Sequence, residues 1–532
     1  MGIKNLPFFG HLTPNLAFTI CLCTLSVMNF GMDNTAFNTM QAMDPFIRRF
    51  GSYDHKKQKY TISTTHLSYL NSLPRLTFAV GVIAGGFLSQ RFGRRPVVFL
   101  MLIICLVGVI ITYTATTYGQ MLAGRMFVQG YVGMEGMLVP MFQAEISPPA
   151  IRGAIVVGYF FNHVFGSFIM SCITFKTSQW DTDACWKVPT AVLFIIPSLV
   201  LLLAWRLPES PLWLLRKGRD EHALKQLKYL YGVKPGYAAE DDLSAIKATI
   251  EAKDASQKGR WADLFRGTNK LTIRKRRLMI VGVVQSLNQL TGQAFATKYG
   301  VVFIKTLGTI NPYTFNLISD AIALTAPFLI FVMVDRVGRR NLYLFFGVLT
   351  GCALLTMGGL GLGEVNFNQK AGIVAMTVIY PFFYCFCFGA MSPLTGSEVP
   401  TLSLREKSAV VGWSLQNLWN FVVSFTVPYL LNDDYAGLHS KVGFIFGAIC
   451  FIGVAWAWFC FPELSRRSLE EIDEMFLAQL PTRKFKDYKS TFASSDPRNR
   501  EIEAHASDGE DTDVESPREG KGTTTIRAHS VM

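Results

Sequence analysis

Twelve stretches of about twenty predominantly apolar residues recur along this chain, and nothing else in it restricts the fold as strongly. They fall near residues 15–36, 66–90, 97–116, 119–143, 153–175 and 187–206 in the first half, and near 278–305, 313–334, 342–363, 371–399, 407–431 and 441–461 in the second. Hydrocarbon offers no water to backbone amides and carbonyls, so a stretch of that length must close its hydrogen bonds within itself, as a helix. The expected fold class is all-α integral membrane, with twelve transmembrane helices. Half of the 532 residues are hydrophobic and 17% are charged, which is more apolar surface than a soluble core hides. That composition excludes an ordinary soluble enzyme. No phosphate-binding glycine loop, nucleophile constellation or metal-ligand spacing appears, so the reading is of a non-enzyme with no cofactor.

The formal net charge of +13 raises the question of nucleic acid. The basic residues sit between and after the apolar spans, where orientation and anionic lipid headgroups account for them, and no nucleic-acid partner is expected. Residues 207–277 turn polar, with Glu240-Asp241-Asp242 and Arg274-Lys275-Arg276-Arg277 among helix-favouring residues, and read as a linker of short amphipathic helices. This linker, the Arg91/Arg94/Arg95 loop and its counterpart Arg336/Arg339/Arg340 carry most of the inter-span positive charge, which places them in the cytoplasm. An even number of spans then puts both termini inside. The loop with Arg48, Arg49, Lys56, Lys57 and Lys59 falls outside and breaks the charge rule. The expected layout is a cytoplasmic N-terminus at 1–14, a six-helix bundle at 15–206, the linker at 207–277, a second six-helix bundle at 278–461, and a cytoplasmic tail at 462–532. Beyond about Pro481 the tail is too poor in large apolar residues to offset its ordering entropy, so disorder and sites for phosphorylation are expected there. The first stretch lacks a cleavage site and reads as a retained span, and Leu6 breaks the myristoylation pattern. Most of the ten cysteines lie inside spans as packing residues, and a Cys172–Cys185 pairing is left open.

The halves repeat each other. SQRFGRRP at 89–96 and VDRVGRRN at 334–341 both follow the second span of a half. Near the ends of the fourth and tenth spans, Glu145, Pro148 and Arg152 find a degenerate echo in Glu398, Pro400 and Arg405. Arg94, Arg95, Asp335, Arg339 and Arg340 thus stand at helix ends where the glutamates can meet them when that face is closed. Such pairs bias a two-state equilibrium, while the competing reading anchors the arginines to phospholipid. With Arg152 and Arg405 they form the expected gating set.

These loops, PPAIRG, PESPLWLL at 208–215, QLTGQ at 289–293, DRVGRR and PELSRRSLEEID at 462–473 occur in an order that resembles the sugar porter family of the major facilitator superfamily, fungal members especially, over roughly residues 15–480. The resemblance implies two six-helix bundles, an intracellular helical linker and alternating access. It also implies a monomer in the plasma membrane whose partners are a small sugar-like solute, protons and lipid. Asp33, inside the first span, matches the acidic position of proton-coupled members, and Arg125 matches its arginine partner. A carboxylate that loses its arginine as the bundles rock binds a proton more readily, which would couple proton flow to transport. The alternative is a permanent structural pair in a passive facilitator.

Gln289, Thr291, Gly292 and Gln293 match the seventh-span sugar motif, with Gly292 and Gly300 as places where that helix bends, and Asn288 holds a position that is Gln in most hexose carriers. Phe160, Ala294 and Pro393 depart from the pattern, which argues against ordinary glucose as preferred solute. Asn162, Asn417 and Asn420 complete the candidate substrate set. Further ionisable residues stand at unusual depth: Glu135, His163, Lys298 and Asp320. Lys298 either accepts the carboxylate of a sugar acid or quinate-like solute, or neutralises Asp320; His163 reads as a hydrogen-bonded interior residue. The expected function is proton-coupled symport of a hexose, disaccharide, polyol or sugar acid. A non-transporting nutrient receptor and a facilitator or exporter of a fungal metabolite remain as alternatives.

Overall fold

The computed structural model describes residues 12–55, 58–232, 237–255, 271–363, 365–401, 404–465, 467, 469–485 and 488. A helix, or two short helices in line, coincides with each of the twelve expected stretches. In the first half these are α1 (Pro14–Met40), α2 (Thr64–Phe92), α3 (Arg94–Tyr113), α4 (Tyr118–Ile146), α5 (Pro149–Thr177) and α6 (Ala184–Arg206, stepped at Leu193 and Phe194). In the second half they are α7 (Leu271–Leu290, carried on by Phe295–Tyr299 and Gly300–Leu307), α8 (Pro312–Ala323 and Ala326–Val337), α9 (Arg339–Leu360), α10 (Phe367–Glu398), α11 (Arg405–Leu431) and α12 (Val442–Cys460).

Among the described residues, eight of these segments are long and apolar enough to cross a membrane on those grounds alone. The other four are α4, α5, α7 and α11. Three of them are diluted by polar residues, α4 by Arg125, Gln129 and Glu135, α7 by Gln285, Asn288, Gln289 and Lys298, and α11 by Gln416, Asn417 and Asn420, while several side chains of α5 between Pro149 and Val157 lie outside the described residues. Polar groups at that depth are costly unless they face a protein interior or a wet cavity, so α4, α7 and α11 mark the inner wall. The opposite demand shows on α2, where Leu76, Val80, Ile83 and Phe87 recur at helical spacing and stand exposed, Ile83 at 72%, a face that suits lipid.

The two largest hydrophobic cores among the described residues are drawn one from α1–α6 and one from α7–α12. In the first bundle α1 packs on α5 and α2 on α4; in the second α7 packs on α11 and α9 on α12. The linker helices Pro211–Arg216 and Asp220–Tyr231 dock on the first bundle, where Trp213 Nε1 donates to Gln90 O at 2.9 Å and Tyr231 donates to Ile146 O. The tail helix Leu469–Leu477 docks on the second, with Ile472, Met475 and Phe476 against Ile280, Val281 and Val399. Order runs past Pro481, since Phe485 is buried in that same cluster. Linker, N-terminus and tail helix therefore share one face of the molecule, called here the linker face. At the far face a short helix, Asp44–Phe50, and a two-stranded hairpin, Ser52–Asp54 with Lys59–Thr61, fill the first loop, and Arg48 pairs with Asp181 there. Cys172 is exposed and Cys185 buried, and both are free thiols.

Among the described residues, every hydrogen bond between the bundles lies in the far half. Ser68 on α2 donates to Phe425 O on α11 at 2.9 Å, and Tyr429 reaches Thr65 at 3.4 Å. Asn316 on α8 donates to Ser171 on α5 at 2.6 Å, and Lys305 bonds Ala42 O and Asp44, each at 2.6 Å. The bundles are thus latched together at the far face.

Candidate functional site

Asp33 lies on the wall of α1 that faces α4. Arg125 Nη1 donates to its Oδ1 at 2.6 Å and Gln129 Nε2 to its Oδ2 at 3.2 Å, both from α4 and one turn apart. The Asp33 and Arg125 side chains are 1% and 6% exposed, and the guanidinium carbon sits 4.0 Å from the centroid of the Phe37 ring. Two opposite charges are therefore held out of water, each stabilised mainly by the other.

Across from this pair, α7 breaks. Its first segment ends at Leu290, and Gly292 takes φ +93°, a conformation L side chains rarely adopt. An added Cβ there would also meet the Phe446 ring at 2.9 Å, so Gly292→Ala is expected to lower stability by about 1–3 kcal/mol, read as a drop in the melting temperature of the detergent-purified protein. Gly300 is helical, so only Gly292 marks the bend.

The break turns a row of amides into one connected chain. Asn288 Nδ2 donates to Phe388 O at 2.8 Å, and its Oδ1 accepts from Gln289 at 2.6 Å and from Gln416 at 2.7 Å. Gln289 Oε1 accepts from Asn420 at 2.7 Å, and Asn420 Oδ1 accepts from Lys298 Nζ at 2.9 Å. Lys298 also donates to Ser424 Oγ and, across the bundle boundary, to Asn71 O on α2 at 3.2 Å. The site amides are thereby joined directly to the far-face latch.

Of the expected substrate set, Asn288, Gln289, Lys298 and Asn420 come together here. Thr291 bonds inside its own helix to Leu287 O at 2.8 Å, Asn162 to Gly158 O at 2.8 Å and Asn417 to Trp413 O at 2.9 Å. Gln293 stands at the bend with a buried, unpartnered Oε1. Gln416, Gln129, Asn71 and Ser424 join the network without having been singled out by the sequence, as single polar residues within apolar spans. Lys298 does not neutralise Asp320. That carboxylate is bound by Ser171 and by Asn316 at 3.2 Å, at the α5–α8 latch. His163 faces Asn34 at 3.5 Å and stacks edge-on with Phe30. Glu135 accepts from Tyr159 at 3.2 Å, and its other carboxyl oxygen has no partner among the described residues.

At the linker face the repeat reappears as matched geometry. Arg94 grips Glu145 with two bonds of 2.9 and 2.6 Å, and Arg339 meets Glu398 at 3.4 Å. Glu209 accepts from the backbone N–H groups of Arg94 and Arg95 at 2.7 and 3.2 Å, capping the N-terminus of α3. Glu463 does the same for Arg339 and Arg340 at α9, at 3.0 and 3.1 Å. Arg95 and Arg340 each tie to a tryptophan carbonyl, Trp205 and Trp458, at 2.6 Å. Both Arg–Glu pairs are internal to one bundle and are made although no described hydrogen bond joins the bundles on this face. The Pro-Glu dipeptides at 208–209 and 462–463, one after each half's last span, carried the sequence signal for the two capping glutamates. The side chains of Arg152 and Asp335 lie outside the described residues; Arg405 opens α11.

The comparisons with known proteins agree with this architecture. Over 467 residues the chain is 28% identical to the high-affinity fructose transporter ght6 of Schizosaccharomyces pombe, covering 85% of each. It is 26% identical over 474 residues to the low-affinity glucose transporter HXT3 of Saccharomyces cerevisiae, covering 86% of this chain and 82% of that one. The inward-open structure of the xylose transporter XylE from E. coli superposes with a TM-score of 0.69 at 19% identity, covering 86% of this chain and 99% of that one. A second XylE structure, described as a proton:xylose symporter bound to 6-bromo-6-deoxy-D-glucose, gives 0.67 at 20% identity, covering 87% and 99%. The model of one family, Sugar (and other) transporter, matches residues 18–476 and so takes in both bundles, the linker and the broken α7 with its amides. The chain belongs to the sugar (and other) transporter family.

Proposed function

We propose that this protein is a secondary active carrier that moves a sugar or sugar-like solute together with protons by alternating access, with both termini in the cytoplasm of a plasma-membrane protein that works as a monomer. The observation that carries the reading is the buried Asp33–Arg125 pair opposite a continuous row of amides on a broken helix. A polyhydroxylated solute needs directional donors and acceptors, and amides offer both. Gln289, Asn288, Asn420 and Gln293 are the groups to meet hydroxyls once solute displaces their mutual bonds. Asp33 is the proton-binding group, and Arg125 and Gln129 are the partners it must exchange for a proton. With the linker face inside the cell, the far-face latch is the closed outer gate and the arrangement is inward-facing. Arg94, Arg95, Glu145, Arg339, Arg340 and Glu398, with Arg152, Asp335 and Arg405, stiffen the inner ends of the helices so that each bundle rocks as a body. The XylE symporter lends support to the proton coupling, and the fungal hexose transporters to the solute class.

The test is uptake by a transporter-null cell offered labelled hexoses, disaccharides, polyols and sugar acids. At least one is expected to accumulate, faster with an inward proton gradient, and a chain ending after Tyr488 is expected to keep that flux. The cut belongs there because Phe485 and Tyr488 pack with the tail helix on α7. A nutrient receptor would show no accumulation and would lose its signal on truncation.

A further inference from the structure

Arg75 sits in the middle of α2, on the same helix face as Ser68 and Asn71, two of the residues through which α2 touches the second bundle. It is half-buried. Among the described residues it has no hydrogen-bond or ion-pair partner, and its guanidinium lies only over the Phe78 ring of its own helix, 5.7 Å from the centroid. It nevertheless stands within electrostatic reach of Asp33 on α1, Arg125 on α4, His163 on α5 and Lys298 on α7, so it is surrounded by the helices that line the centre of the molecule. Lys298 has three acceptors, all of them neutral: Asn71 O, Asn420 Oδ1 and Ser424 Oγ. The acidic groups nearby are spoken for, Asp33 by Arg125 and Gln129, and Asp320 by Ser171 and Asn316. The central site therefore holds a guanidinium, Arg75, that makes no ion pair among the described residues, beside an amine, Lys298, whose acceptors are all neutral.

Ionised groups are expensive within a membrane span, and those present generally have a partner or a task. We infer that Arg75 is an anion-recognition site, and that the preferred solute is a polyhydroxylated carboxylate whose carboxyl seats on the Arg75 guanidinium while its hydroxyls meet Gln289, Asn288 and Asn420. The planar guanidinium offers two parallel donors that match a carboxylate, which a neutral hexose cannot use. Lys298, already saturated by three neutral acceptors, holds the amides in place and offers the solute no direct bond. This inference rests on the transport reading above and narrows its solute class.

The experiment uses the full chain in a transporter-null cell, with D-glucose, D-glucuronate and the uncharged methyl ester of glucuronate as probes. Wild-type protein is expected to take up glucuronate, and glucuronate is expected to inhibit at concentrations at least about tenfold below its ester, the scale of a charge-assisted hydrogen bond. Arg75→Gln is expected to lower glucuronate uptake at least about tenfold while leaving glucose uptake within about twofold, and Arg75→Lys to recover part of the loss. Equal potency of acid and ester in the wild type, which requires no variant to fold, overturns the inference, as does an equal loss of acid and neutral uptake in Arg75→Gln. Uptake of glucose without glucuronate sinks this inference alone, whereas absence of any solute flux sinks the transport reading beneath it.

Discussion

Exchanging Asp33 for Asn is expected to abolish accumulation of solute against a gradient while leaving exchange of solute down one. Each proton carried per solute turns a one-unit pH gradient into about tenfold accumulation, and an amide in place of the carboxylate carries none, so the ratio should fall to about one. Asn is close to isosteric: its one oxygen still accepts from Arg125, and its amide N–H donates to Gln129 Oε1 once that side chain turns over, which keeps the site assembled for passive exchange. It also leaves Arg125, 6% exposed, without its counter-charge, and breaking a buried pair from one side is destabilising. A lower melting temperature is expected for the single variant, and adding Arg125→Gln should recover stability without restoring accumulation. A double variant that again concentrates solute under a pH gradient would show that the pair serves structure only.

Arg94→Ala is expected to be the most damaging change at the linker face, with a loss of about 3–5 kcal/mol and little folded protein recovered. The reason is burial: the Arg94 and Glu145 side chains are 3% and 9% exposed, their contact is bidentate, and Arg94 Nη1 also satisfies Ser89 O at 2.8 Å. Its counterpart Arg339→Ala should cost clearly less, because that contact is 3.4 Å long and Glu398 is 22% exposed. Thermal melts of the two variants side by side measure the difference. Equal losses would mean that the repeat imposes equal stability on both halves despite their different geometry.

The number and order of the spans could be read from the sequence because a helix in lipid must be apolar for its whole length, and that requirement overrides weaker local preferences. Three helices that meet it less well, α4, α7 and α11, carry much of the site, so the departures were informative in themselves. The partners of each polar side chain were less accessible. Asn417 looked like a site amide, yet it is Gln416, rotated about 100° around the helix, that reaches Asn288. Thr291, Asn162 and Asn417 satisfy themselves on carbonyls four residues back, an option open to short polar side chains on any helix and invisible to spacing alone. An ion pair with Asp320 was one of two readings open to Lys298, because both are charged and deep, but the fold gives each of them neutral partners. Arg75 was a visible charge within the second span; only the assembly of α1, α4, α5 and α7 around it reveals that it has no ion-pair mate among the described residues.

The most direct test of the account is solute-driven proton movement by the purified protein in sealed vesicles with a pH indicator in the lumen. Adding an accepted solute outside should acidify the lumen of vesicles holding the wild-type protein and leave those holding Asp33→Asn unchanged. Solute entry into wild-type vesicles with a steady internal pH, or acidification by Asp33→Asn equal to the wild type, would contradict it.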